Sequence, residues 1–200
     1  MTGALILIGA YLLGGIPFGY VLVRLRTGRD VRASGSGNIG ATNVLRTTSR
    51  TLGVVTLLLD IGKGYLAVWA AGRLSGGSPA WMSAAALAVM AGHAFPVFLK
   101  FRGGKAVASF VGAFLCLTPL ALAAALGILV AVVAWKRYIS LGSIIAAAAL
   151  PPAAWLISRA APEVIAAAAV AGAFVIWRHR ENIARLRAGT ENVFAFGGKP

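Results

Sequence analysis

Acidic side chains are scarce in this chain: Asp and Glu together number 5 in 200 residues, against 19 Lys and Arg. Other catalytic raw material is also thin. The two histidines, His93 and His179, lack the Cys, His or carboxylate neighbours that a metal site needs, and no Ser-His-Asp spacing is present. The single cysteine, Cys116, lies in an apolar run, which excludes an intramolecular disulfide and argues against a reactive thiol. No G-K-[ST] closes the one glycine-rich loop, so it is not a Walker A loop. There is no internal repeat and no stretch that reads as a separate soluble domain. A basic n-region is missing ahead of the first apolar run, which starts after Met1-Thr2 and is followed by Arg24, Arg26, Arg29 and Arg32. That pattern predicts a retained first span, not a cleaved signal peptide.

What fills the chain is apolar. Hydrophobic residues make up 59% and charged residues 12%, and the mean hydropathy is +0.84. These values lie outside soluble globular usage and predict an integral membrane protein. The formal net charge of +14 would suggest nucleic acid in a soluble chain. Here the basic residues fall in short stretches between apolar runs, so membrane topology is the simpler cause and no nucleic-acid partner is expected.

Seven spans follow from the apolar runs. Span 1 covers about Gly3 to Val23, with Pro17 as a kink and Gly15 and Gly19 as a small-residue packing face. Span 2, about Leu52 to Ala71, holds Asp60 and Lys63 three residues apart on one face, which predicts a mutual ion pair turned toward the bundle. Span 3 covers about Pro79 to Leu99. The run between Lys105 and Lys136 is interrupted at Thr118-Pro119 and reads as two short or tilted helices, spans 4 and 5. Spans 6 and 7, about Leu141 to Ile157 and Val164 to Trp177, are alanine-rich. The expected fold is thus an all-α polytopic membrane protein of seven transmembrane helices, some of them short, forming one domain over residues 1–200. Only Arg73 and Arg159 fall on the side opposite the other basic residues, with Lys63 counted in the near half of span 2. The positive-inside rule then puts the N-terminus outside and the C-terminus in the cytoplasm.

Three polar islands interrupt the apolar runs, all on the cytoplasmic side of this topology. The first, Ser34 to Arg46, is rich in glycine, asparagine and hydroxyl residues and ends in arginine. Its Gly35-Ser36-Gly37-Asn38-Ile39-Gly40 fits the G-x-G-x-x-G pattern, but it follows an apolar run ending in arginines and not a strand of a βαβ unit. A loop of this kind can cradle an anion through backbone N–H groups, with Asn43 and Arg46 as side-chain donors. Composition alone fits equally well a flexible loop whose arginines only set orientation. The second island follows His93 and contains Lys100-Phe101-Arg102-Gly103-Gly104-Lys105, two glycines and a point charge at a helix start. The third, Arg178 to Glu191, places His179 and Asn182 three apart on one helical face, with Arg185 near them. Read alone, it fits a solvated basic helix end. Donor-rich, carboxylate-poor islands on one membrane face point to phosphate-bearing substrates.

Together, the three islands resemble the motifs of the bacterial acyl-phosphate:glycerol-3-phosphate acyltransferases: Ser34 to Arg46 the first, Gly92 to Ala108 the second, and His179 to Glu191 the third. The resemblance spans almost the whole chain. Arg102 stands where many relatives are expected to carry lysine, which keeps the charge. The H-x-x-x-x-D motif of the other glycerolipid acyltransferase superfamily is absent, since Phe98 lies five residues after His93 and Ala184 five after His179.

The resemblance implies acyl transfer from acyl phosphate to the sn-1 hydroxyl of glycerol 3-phosphate, giving lysophosphatidic acid, with no metal, cofactor or obligate protein partner. It implies catalytic roles for Ser36, Asn38, Lys105, His179 and Asn182. Substrate binding falls to Gly37, Gly40, Thr42, Asn43, Arg46, Arg102, Gly103, Gly104 and Glu191. Ser36, Asn38, Thr42, Asn43 and Arg46 would meet the glycerol phosphate, and N–H groups near Gly37, Gly40, Gly103 and Gly104 the acyl phosphate. The acyl tail would lie among membrane lipid, and the enzyme in the bacterial inner membrane with its site facing the cytoplasm. Arg178, Arg180 and Arg185 disfavour a positive His179, so the attacking hydroxyl's proton is expected to pass to a substrate phosphate. Two other readings remain beside this one. A small organic-phosphate transporter would want a site near the bilayer midplane and a repeat, and a structural subunit with basic loops would leave the asparagines and glycines unexplained.

Overall fold

The structure, a computed structural model, describes residues 2–194, and the chain divides into two units at the Leu117–Thr118 junction. Among the described residues the regular structure is all helix, with no strand. In the first unit α1 (Thr2–Gly15) and α2 (Phe18–Thr27) form one apolar run broken at Ile16-Pro17. Pro17 has no N–H, and the ladder resumes only where Val21 donates to the Pro17 carbonyl at 3.0 Å. Gly28, at φ 68°, ends α2 in the left-handed conformation that glycine adopts without steric cost. After a short turn at Val31–Ala33 come α3 (Ala41–Thr47), α4 (Arg50–Leu74), α5 (Pro79–Ala94) and α6 (Val107–Leu117). Ser49 caps α4, its Oγ accepting from Leu52 N–H at 3.1 Å.

Helix packing in this unit depends on glycines where backbones touch. A methyl on Gly14 would run into the Val89 carbonyl, and one on Gly92 into the Tyr11 carbonyl, so α1 and α5 pack at backbone distance. Gly19 is tight in the same way against Ile39, as its spacing suggests. Gly15 is not: a methyl there would make an ordinary 3.5 Å contact with Phe98, so the close-packing position is one residue earlier than expected. Gly64 and Gly112 seat α4 against α6. Near the polar loops, Val23, Val31, Ile39, Val44 and Leu99 form one buried cluster. Val31, Ile39 and Val44 flank or belong to the first island and Leu99 stands at the foot of the second, so one apolar core supports both.

In the second unit α7 (Pro119–Lys136), α8 (Ile139–Leu156) and α9 (Pro162–Arg178) follow one another, and α10 (Arg180–Arg187) continues from α9 after His179. Pro119 and Pro162 sit in the first turns of α7 and α9, where a missing N–H costs nothing. Trp135, Trp155 and Trp177, at or near helix ends, are at least half exposed except for a neighbouring basic side chain over two of them. Amphipathic rings in such places suit a membrane–water boundary.

Among the described residues five stretches are long and apolar enough to cross a membrane: Thr2–Thr27, Arg50–Leu74, Pro79–Leu99, Pro119–Lys136 and Ile139–Leu156. Spans 1, 2, 3, 5 and 6 of the sequence reading correspond to these. Span 4 is α6, whose 11 residues rise about 16 Å against a hydrocarbon core of about 30 Å. Span 7 is α9, with 17 residues and a rise of about 26 Å.

Candidate functional site

The first island is a loop wound around one side chain. Asn43, 2% exposed, sits in α3 and turns its amide back into the loop. Its Nδ2 donates to the carbonyls of Val31 at 3.2 Å, Ser34 at 3.1 Å and Asn38 at 2.8 Å, while its Oδ1 accepts from Ser36 N–H at 2.9 Å. An amide has two donor hydrogens, so this side chain is fully engaged. Gly35 at φ 61° and Gly37 at φ 68° let the chain circle it, and a methyl on Gly35 would strike the Asn43 amide. Asn38 closes the end of the loop, its Oδ1 accepting from Gly40 N–H at 2.9 Å. The hydroxyls of Ser36 and Thr42 and the guanidinium of Arg46 have no hydrogen bond or ion pair among the described residues. The loop is thus fixed from within and presents two hydroxyls and one cation that remain unengaged.

The four glycine N–H groups assigned to acyl phosphate are all engaged inside their own loops. Gly37 donates to the Ser34 carbonyl at 3.1 Å and Gly40 to Asn38 as above; Gly103 donates to Ala94 and Gly104 to His93, each at 3.1 Å. These glycines set the path of the chain. In the second island Gly103 and Gly104 lie so close to residues 93–96 that a methyl on either would meet backbone or the His93 ring. Lys100 and Phe101, at φ 53° and 61°, and Ala106, at φ 62°, take up the left-handed region without being glycine, a conformation held in place by the surrounding loop. Tyr11 ties the start of the loop down, donating to the Phe95 carbonyl at 2.6 Å. Arg102 is exposed and unpaired among the described residues. Lys105 ends the loop and precedes Ala106 and α6.

Beneath the second island lies the ion pair read from span 2. Asp60 and Lys63 are each 2% exposed, with Oδ1 and Nζ 2.7 Å apart. The lysine also donates to the Ile16 carbonyl at 2.8 Å, a group exposed by the α1–α2 break and 47 residues away.

The third island is organised by Glu191. Its Oε1 accepts from Ser140 Oγ at 3.0 Å and Asn182 Nδ2 at 2.7 Å, and its Oε2 from Arg185 Nε at 2.9 Å. Burial raises the pKa of this carboxyl, but hydrogen bonds from Asn182, Arg185 and Ser140 outweigh it and hold Glu191 below the usual carboxylate range. Asn182 and Arg185 therefore share a face as their spacing predicts, and what joins them is a carboxylate. Ser140, in the first turn of α8, is a partner that no motif signals. His179 stands at the α9–α10 junction, 3% exposed, with Nδ1 2.8 Å from the Val175 carbonyl. A carbonyl only accepts, so Nδ1 carries a proton, and in the neutral tautomer that this selects the acceptor atom is Nε2.

The comparisons with known proteins agree with one another. Residues 4–189 match the glycerol-3-phosphate acyltransferase family model. A glycerol-3-phosphate acyltransferase of Geobacter metallireducens is 55% identical over 95% of this chain and 96% of its own, and that of Geobacter sulfurreducens 50% identical over 92% and 94%. Among solved structures, PlsY (YgiH), an integral membrane glycerol 3-phosphate acyltransferase in its glycerol 3-phosphate form, superimposes with a TM-score of 0.91 at 38% identity, covering 98% of this chain and 96% of that one. Its lysophosphatidic acid form gives a TM-score of 0.88 at 36% identity, with the same coverage. On the match along nearly its whole length, this multi-pass helical membrane protein belongs to the glycerol-3-phosphate acyltransferase family.

Proposed function

We propose that the chain transfers an acyl group from acyl phosphate to the sn-1 hydroxyl of glycerol 3-phosphate, releasing phosphate and lysophosphatidic acid. One observation carries the reading within this family: the first island is a preformed loop whose Ser36, Thr42 and Arg46 side chains have no partner among the described residues. Such a loop suits a small phosphate ester with free hydroxyls, and its rigidity lowers the cost of ordering on binding.

An acyl phosphate is a mixed anhydride, so its carbonyl is already activated. The hydroxyl oxygen attacks that carbonyl, the new ester C–O bond forms, and the bond from carbonyl carbon to the bridging oxygen breaks with phosphate as leaving group. The hydroxyl proton passes to a substrate phosphate; a phosphate monoester has a second pKa of about 6. What the protein supplies is placement and charge. Arg46 offers a bidentate contact to phosphate, and Lys105 and Arg102 offer further positive charge. Ser36 and Thr42 suit the glycerol hydroxyls, and Nε2 of His179, as an acceptor, suits the attacking one. Asn182, its amide held by Glu191, is a further donor suited to substrate. Asn38 and Asn43, with Gly37, Gly40, Gly103 and Gly104, act through the shape of their loops.

The same reading extends to placement in the cell. Residues 1–200 act as one acyltransferase domain of seven spans in the bacterial inner membrane, N-terminus outside and C-terminus and islands cytoplasmic. The distribution of Lys and Arg supports this topology. Cysteines introduced at Lys136 and Gly189 should be labelled only from the cytoplasmic side, and one at Ser75 only from the other. The donor is tested with purified protein in detergent, given glycerol 3-phosphate and either acyl phosphate or acyl-CoA. Product should form from acyl phosphate alone; product from acyl-CoA alone would overturn the donor.

A further inference from the structure

Asp60, Lys63 and His93 form a buried polar cluster that the acyl-transfer reading leaves without a task. Burying an ion pair in an apolar bundle is costly, and a well-packed apolar pair would hold the same helices together at less cost. The cluster's contacts reach well beyond α4. Lys63 is anchored to the Ile16 carbonyl, and His93 Nδ1 lies 3.6 Å from Asp60 Oδ1 and 3.3 Å from Ser109 Oγ. Four segments therefore meet here: the α1–α2 break, α4, the end of α5 and the first turn of α6.

On its other side His93 carries the second island. Its carbonyl accepts from Gly104 N–H at 3.1 Å, the adjoining Ala94 carbonyl accepts from Gly103 N–H at 3.1 Å, and a methyl on Gly104 would strike the ring at Nε2. The loop is laid directly on this residue, and Lys105 is the next one along. A lysine side chain has many rotamers, so where its ammonium reaches depends on how firmly its backbone is held.

We propose that Asp60 and His93 are positioning residues for acyl transfer: the buried pair fixes the path of Gly103-Gly104-Lys105, and through it the placement of the Lys105 ammonium on a substrate phosphate. The inference rests on the role given to Lys105 above. It assigns the cost of the buried charges to holding one loop in a single conformation.

The test is a double-mutant cycle on purified protein, with kcat and KM measured for acyl phosphate and glycerol 3-phosphate and Tm recorded for each variant. His93→Asn and Lys105→Met should each lower kcat/KM by about tenfold or more, whereas His93→Asn added to Lys105→Met should cost less than about twofold further. Losses that simply multiply would show that His93 acts elsewhere and would overturn the proposal. Wild-type kinetics in Lys105→Met would instead overturn the role of the lysine, and the proposal with it. If His93→Asn does not purify as a folded protein, Asp60→Asn takes its place in the same cycle with the same expectations. A second readout does not involve Lys105. Gly104→Ala should lose activity through its clash with the imidazole, and His93→Asn, which removes the outer part of the ring, should restore part of it. Failure of that rescue would contradict the contact on which the proposal stands.

Discussion

Replacing Asn43 by aspartate changes two N–H donors into an oxygen while leaving the side chain's shape. In the wild type those donors face three carbonyls at 2.8 to 3.2 Å. In the variant a carboxylate oxygen faces them instead, at a site 2% exposed. Losing two buried donors costs roughly 1–3 kcal/mol each. Ser34 is exposed and Asn38 half-buried, so water can satisfy part of what is lost. A net loss of about 3 kcal/mol is reasonable by this count, and for a chain of this size that corresponds to a fall in Tm of roughly 6–12 °C. The Ser36 N–H keeps an acceptor, so the loop loosens without coming free of α3. The assay is thermal unfolding in detergent beside steady-state kinetics: Tm should fall, and KM for glycerol 3-phosphate should rise as Ser36 and Arg46 lose their fixed spacing. If Asn43 touched substrate through its amide, KM would rise with Tm unchanged. That result would refute the internal role drawn from the geometry.

Arg46→Lys keeps the charge but loses the planar fork, and should lower kcat/KM for glycerol 3-phosphate by about tenfold or more, whereas Arg26→Lys should be silent; equal kinetics for the two would remove Arg46 from phosphate binding. Glu191 is held below its ordinary pKa, so its stabilising effect is complete above the unfolded value of about 4.3 and fades as pH falls through the lower folded value. The wild-type Tm should therefore drop below about pH 4, and Glu191→Gln should start lower at pH 7 and lose less on acidification. His179→Gln should raise KM more than it lowers kcat and leave the pH dependence of kcat in place; a kcat loss of about a hundredfold with the acid limb gone would make His179 the general base.

Much of this was legible in the order of residues. Asp60 and Lys63 announce their pairing because helical spacing puts them on one face, and Asn182 and Arg185 share a face for the same reason. The polar islands stand out because a chain this apolar leaves few places for Asn, Gly and Arg. Direction was not legible. A sequence displays the donors of Asn43, Gly103 and Gly104 but not whether they point outward, and the structure turns all three inward. Nor does helical spacing reach partners far apart in the chain, such as Ser140 with Glu191 or Lys63 with the Ile16 carbonyl. Span counting is limited in a related way, because hydropathy measures how apolar a run is while the break at Thr118-Pro119 decides how long its helices are.

The central claim is that this chain moves an acyl group between two phosphate-bearing molecules, and its most direct test follows one oxygen atom. Purified protein is given acyl phosphate labelled with heavy oxygen at the bridge between carbonyl and phosphorus, together with glycerol 3-phosphate, and the products are weighed by mass spectrometry. Attack at the carbonyl predicts that the label leaves in inorganic phosphate, with lysophosphatidic acid formed mole for mole. Label retained in a free fatty acid, or phosphate released with no lysophosphatidic acid, would contradict it.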